Sequence, residues 1–280
     1  MILKNKVLNR PNNKPIVWDA FFQNNHKKKP AVIFCHGYKG FKDWGPWNLA
    51  AEAFSEAGCF FTKLNFSHNG GTVDNPIDFP DLEAFAENNY TKELQDLEDF
   101  LDFLLSKDFK YHQQIDDNKV ILIGHSRGGG ICIIKASEDK RVNRLVTWAS
   151  VADFGQRSST TGDLEKWRKN GVKYVLNGRT KQKMPHNFQF YLDFKANEKK
   201  LHIESAEKKL KIPHLIIHGK NDNAVSYSEA KDLHKWNNNS ELIGVEGANH
   251  VFNAKHPWES RVMPDFLNNV VNKTLSFIKS

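Results

Sequence analysis

Cysteine, methionine and long apolar runs are all scarce in this chain of 280 residues. Cys35, Cys59 and Cys132 each sit inside an apolar stretch and no pair has CxxC spacing, which excludes a disulfide scaffold and a thiolate metal site and predicts core thiols. No segment approaches the roughly 18 consecutive apolar residues of a membrane-spanning helix. The N-terminal MILKNKVLNRPNNK has no apolar run before a small-residue cleavage site, so the expected setting is cytoplasmic, away from a membrane. Nucleotide-binding loops are missing too. No lysine follows the glycines of GHSRGGG as a Walker loop requires, and a dinucleotide fingerprint begun at Gly124 would put Ser126 where a glycine belongs.

What the chain does have is apolar and aromatic mass, 39% and 12% of its residues, enough to build a core rather than stay disordered. Its net charge of +7 is unevenly spread. Residues 1–30 hold seven basic residues against one acidic, 31–153 twelve against nineteen, 154–212 fourteen against six, and 213–280 seven of each. The change of sign near residue 154 predicts an inserted element with its own surface. Nucleic-acid binding is the sharper reading of a basic balance, but no recognition motif accompanies it, and a solvated basic face is the expectation.

Strand and helix patterns alternate along the rest. KPAVIFCHG (29–37), CFFTKLNFS (59–67), VILIGHS (120–126), RLVTWASVAD (144–153), IPHLIIHGKND (212–222) and ELIGVEGANH (241–250) read as strands. Helical periodicity fills the intervals, as in the leucine stripe of Leu94, Leu97, Leu101, Leu104 and Leu105. This predicts a mostly parallel, doubly wound α/β sheet, with ligands bound beyond the carboxyl ends of its strands. The alternation breaks after Asp153. Residues 154–206 are expected to form a cap inserted in a core made of 1–153 and 207–280, with a hairpin in which Val172, Tyr174 and Leu176 alternate before a two-residue Asn177-Gly178 turn.

Gly124-His125-Ser126-Arg127-Gly128 fits G-x-S-x-G between a strand and a helix, the setting of a nucleophile held out on a tight turn. A serine hydroxyl needs a base to take its proton and an acid to orient that base. Asp222 follows one strand and His250 the next, so both can converge on Ser126, and the order Ser, Asp, His suits this architecture. Asp153 is the rival acid, and His218 reads as a packing or turn residue. Negative charge on a tetrahedral intermediate calls for backbone donors. The amide of Arg127, directly after the nucleophile, is one candidate, and that of Tyr38, in the loop CHGYKGFKDWG, is the other. His36 is expected to buttress that loop.

The motifs HGYKGFKDW, GHSRGG, HGKND and GANH, in this order, resemble the α/β-hydrolase superfamily, nearest its dienelactone-hydrolase-like and cinnamoyl-esterase-like esterases. The resemblance implies the α/β-hydrolase fold with a cap after the sixth core strand, and a serine esterase that needs no cofactor or metal and acts on a small-molecule ester. Where dienelactone hydrolases proper carry cysteine, this chain has Ser126. The cap would roof the site, with one or two of Trp167, Tyr174, Phe188, Phe190, Tyr191 and Phe194 facing substrate. Its positive charge would dock it on the acidic body or steer anionic substrates, the first being favoured. SHNGGTVDN (67–75) is a candidate rim of the pocket. A serine peptidase or amidase, and a hydrolase fold kept only for binding, are the alternatives.

Overall fold

The computed structural model describes residues 1–280, and its first two elements are ones the sequence pattern did not announce. β1 (Ile2–Arg10) and β2 (Asn13–Phe21) form an antiparallel hairpin on one edge of the sheet. β1 has no fully buried residue, and its lysines and asparagines suit an edge strand that must not recruit another chain. β2 is buried from Ile16 through Phe21, with Asp19 inside the run.

The remaining large-sheet strands are β3 (Lys29–Cys35), β4 (Phe60–Leu64), β5 (Ile115–His125), β6 (Val142–Trp148), β9 (His214–Gly219) and β10 (Ser240–Val245). They lie in the order β1-β2-β4-β3-β5-β6-β9-β10, and every pairing from β4 onward is parallel. Successive strand residues face opposite sides, and here both sides are buried. Ala31, Ile33 and Cys35 enter one core, while Val32 and Phe34 enter the other; Val120 and Leu122 divide from Ile121 and Ile123 in the same way. Helices α1 (Trp47–Glu56) and α9 (Asp265–Lys279) cover the second core. The first lies under α3 (Tyr90–Leu104), α4 (Arg127–Glu138), α7 (Ile203–Lys209) and α8 (Tyr227–Trp236), and receives Leu94, Leu97, Leu101 and Leu104 of the expected stripe. The short α2 (Leu82–Ala86) precedes α3. The three cysteines are buried and unpaired, as expected.

Between β6 and β9 the chain forms α5 (Leu164–Asn170), a separate hairpin of β7 (Val172–Leu176) and β8 (Lys183–Asn187), and α6 (Gln189–Ala196) before α7. The hairpin is present, but its turn is not the two-residue kind. Leu176 pairs with Lys183, and the loop from 177 to 182 closes through hydrogen bonds from the Asn177 amide to Gln182 O and from the Lys181 amide to Asn177 O. The Asn177 carboxamide also accepts from the amides of Arg179 and Thr180, so this asparagine organises a wider loop instead of a tight one.

Candidate active site

The turn from β5 into α4 holds Ser126 at φ 57° and ψ −121°, a left-handed conformation that side-chain-bearing residues seldom adopt. Backbone bonds hold it there: the Ser126 amide donates to Trp148 O at 2.9 Å, and its carbonyl accepts from Gly129 at 3.0 Å and Val151 at 3.3 Å. A Cβ on Gly124 would lie 2.4 Å from the Gly128 carbonyl oxygen, so no larger residue fits at that end of G-x-S-x-G.

The loops after β9 and β10 bring Asp222 and His250 to this turn, joining the three residues that the sequence grouped. His250 Nδ1 donates to Asp222 Oδ2 at 2.7 Å, the tautomer in which Nε2 of the neutral ring is the acceptor, and Nε2 faces Ser126 Oγ at 3.0 Å. Asp222 Oδ1 accepts from the amides of Ala224 (2.8 Å) and Val225 (2.9 Å). Burial opposes ionisation of Asp222, but hydrogen bonds from His218, His250 and Val225 outweigh it and hold the carboxyl well below the usual range. Asp153 is elsewhere, accepting from the Gly155 amide and lining a groove that contains none of the three.

His218 is more than a packing residue. Its Nε2 lies 3.1 Å from Asp222 Oδ2 and donates to Val225 O at 2.9 Å, so the carboxylate oxygen that orients His250 is shared by two imidazoles. A third, His125, donates from Nε2 to the backbone carbonyl of His250 at 2.9 Å. Burial and the adjacent His250 push His125 down to about 3, so it stays neutral.

The loop after β3 lies against Ser126: a Cβ on Gly37 would come within 2.7 Å of Ser126 Cβ. The Tyr38 amide makes no hydrogen bond in the protein, and Arg127 opens α4, where a first-turn amide has no helical acceptor. The side chains of these two residues also stack, with the Arg127 guanidinium 4.3 Å from the Tyr38 ring centroid. Arg127 pairs with buried Glu93 at 3.3 Å, and the Tyr38 hydroxyl meets His186 Nε2 at 2.7 Å. His36 buttresses the loop as expected, its Nδ1 donating to Gly37 O at 2.9 Å and its Nε2 accepting from the Phe66 amide at 3.2 Å.

Sequence reasoning missed the support behind this loop. Lys42, Lys63 and Asp19 are fully buried, and Asp43 is partly exposed, its side chain 14% accessible. Asp19 receives Lys42 at 2.9 Å and Lys63 at 2.7 Å, while Lys63 also reaches Asp43 at 2.5 Å and the Lys42 carbonyl at 2.9 Å. Burial would raise Asp19, and Lys63 and Lys42 beside it hold it below the usual range. The available signal was a charge inside each apolar strand run, Asp19 in IVWDAFF and Lys63 in CFFTKLNF.

A cavity of about 130 Å³ opens over Ser126, walled by Tyr38, Trp44, Trp47, His125, His250 and the loop from His36 to Gly40. None of the six aromatic residues named for the insertion lines it. Trp167, Phe188, Phe190 and Phe194 are buried in the first core, and Tyr174 is 60% exposed. The 67–75 loop does not border it either; its residues line a separate groove beside Val17, although Asn69 donates to Gly40 O at 3.2 Å. No group of three or more His, Cys, Asp or Glu side chains is placed to hold a metal ion, and no helix is long and apolar enough to cross a membrane.

The sequence pattern of the BD-FAE family matches residues 19–237, more than half of the chain and a span that includes Ser126 and Asp222. The chain belongs to the BD-FAE family. It is thus an α/β hydrolase of the esterase and lipase type, the superfamily its motifs resemble. Among solved structures this BD-FAE protein is similar to Est1E from Butyrivibrio proteoclasticus, with a TM-score of 0.73 and 18% identity over 98% of this chain and 97% of that one. Est1E with bound ferulic acid gives a TM-score of 0.68 and 19% identity over 94% and 95%. A Mycoplasma pneumoniae protein whose name describes an esterase/lipase is 27% identical over 134 residues, 48% of this chain and 41% of that one. An uncharacterised 31.7 kDa Escherichia coli protein is 25% identical over 200 residues, 68% and 64%. The BD-FAE chain therefore spans less than two thirds of these two relatives' own length.

Proposed function

We propose that the protein is a serine esterase that hydrolyses a small carboxylic ester through an acyl-enzyme. Ser126 Oγ attacks the ester carbonyl as His250 Nε2 takes its proton; His250 returns that proton to the departing alkoxide, and water repeats the sequence to release the acid. Asp222 fixes the tautomer and supports the imidazolium, and the amides of Tyr38 and Arg127 receive the oxyanion. The observation that carries this reading is the unbroken series of contacts, 3.0 Å from serine to histidine and 2.7 Å from histidine to aspartate, at the floor of a cavity. Its volume of about 130 Å³ suits a short acyl chain, since a dry cavity of roughly 150 Å³ holds one benzene. Residues 154–206 act as the cap in this reading, and the unpaired thiols agree with a reducing, cytoplasmic setting.

A fluorophosphonate probe with peptide mapping tests the nucleophile. Labelling at Ser126 is expected, with none in Ser126→Ala, together with turnover of short-chain esters and slower cleavage of the matching amides. A folded wild type that neither labels nor turns over an ester would return the molecule to a binding role, and faster amide cleavage would make it an amidase.

A further inference from the structure

The walls of the Ser126 cavity are nearly free of charge. Apart from the histidines and Tyr38, Lys39 is the one residue with an ionisable side chain among those that line it, and no aspartate or glutamate does. Lys39 is half-buried, and its ammonium lies 5.0 Å from the Tyr38 ring centroid without an ion pair or hydrogen bond in the protein. Its φ of 54° is one that glycine adopts more readily, so the loop keeps a lysine there against backbone preference. Burial and the Arg127 guanidinium push the Lys39 ammonium below its usual range, the mark of a cation lacking a counter-charge.

The surroundings do not supply one. Next to Tyr38, burial pushes His186 down to about 3, and Arg127, Lys173 and Lys39 add to that effect while no carboxylate opposes it. Arg127 is offset by Glu93. Lys173, the cross-strand neighbour of His186, lies 3.6 Å from the Trp167 ring centroid and donates only to Thr161 O. Nor does docking of the insertion account for its charge: of the fourteen basic residues in 154–212, only Arg157 and Arg179 pair with carboxylates of the body, Glu229 and Asp78.

We propose that the preferred substrate is a small ester that itself bears a carboxylate, which Lys39 receives beside the scissile carbonyl. The inference rests on the esterase reading above and narrows it. An incoming carboxylate restores the counter-charge that the protein withholds from half-buried Lys39, and a charge-assisted contact of this kind favours the anionic substrate by about ten-fold or more.

Four esters test it. Monoethyl succinate carries the carboxylate on the acyl side and acetoxyacetate on the alcohol side; ethyl succinamate and acetoxyacetamide are their neutral counterparts of the same shape. In wild type, kcat/KM for one anionic ester is expected to exceed that of its neutral counterpart about ten-fold or more, and the pair that shows this identifies the side. Lys39→Met is expected to bring the ratio to about one and Lys39→Glu to invert it, with added salt lowering the wild-type ratio. Equal rates within both pairs, or a preference that survives Lys39→Met, would overturn the proposal. Turnover of para-nitrophenyl acetate at Ser126 with none of the four hydrolysed defeats this proposal alone; no turnover of that ester either defeats the esterase reading with it.

Discussion

Asp222 and Asp19 are both buried carboxylates that nearby donors keep ionised, yet their neighbourhoods differ in what the proton can do. Asp222 faces imidazoles, one of which touches Ser126 and a cavity. Asp19 faces two fully buried lysines behind the loop that carries Tyr38. Imidazole can gain and lose a proton near neutrality; burial pushes Lys63 down to about 8 against the pull of Asp19 and Asp43, so at neutral pH it is still mostly charged and serves as a brace. In the proposed esterase one region performs chemistry and the other keeps its geometry.

Breaking each region separately is the direct check. Ser126→Ala is expected to lower ester turnover by at least about a thousand-fold while leaving the urea unfolding midpoint close to wild type. Lys63→Met should do the reverse, leaving Asp19 and Asp43 short of a buried counter-charge and costing about 3–5 kcal/mol of stability in chemical denaturation. A Lys63→Met protein as stable as wild type would mean that the brace is ornamental. His218→Leu sharpens the comparison within the catalytic region: kcat is expected to fall about ten-fold with KM little changed. Its acid limb should move upward, because Asp222 then gives its whole charge to His250, and His218→Gln should recover part of the rate by restoring a donor. An unchanged pH profile would reduce His218 to packing.

The smallest effect, counted per group, is on acid stability. His36 is pushed down to about 4, and His125 and His186 to about 3, all mainly by burial. Unfolded histidine takes a proton near pH 6.5 and these folded ones do not, so stability is fully present above that value and is lost as pH falls towards 4. Between pH 6.5 and 5.5 the loss should be about 1 kcal/mol for each, read as a falling urea midpoint. A midpoint flat across that interval would contradict the neutral tautomers assigned to these rings.

The candidate active site was legible in the sequence because its signals are local. Turn glycines, apolar strand runs and the residues just past each strand end put Ser126, Asp222 and His250 within reach of one another. The brace was not, since nothing within IVWDAFF shows that Asp19 meets a lysine forty-four positions away. The polar edge strand β1 carries no apolar alternation to read, because it buries almost nothing. The aromatics of the insertion misled for a related reason. Composition counted their surface but could not assign it, and the first core took Trp167, Phe188, Phe190 and Phe194 while Tyr38, Trp44 and Trp47 walled the cavity.

The bond from His125 to the carbonyl of His250 has a mechanical meaning. In the proposed acyl-enzyme mechanism the hydrogen bond between serine and histidine must break in every turnover, once Ser126 is esterified and has no proton to give. If that bond were the only tie between the two loops, the base would drift at the very step where water has to find it. A backbone tether from the residue before Ser126 would keep the imidazole on station through such an acyl-enzyme stage, so that deacylation would start from the same geometry as acylation.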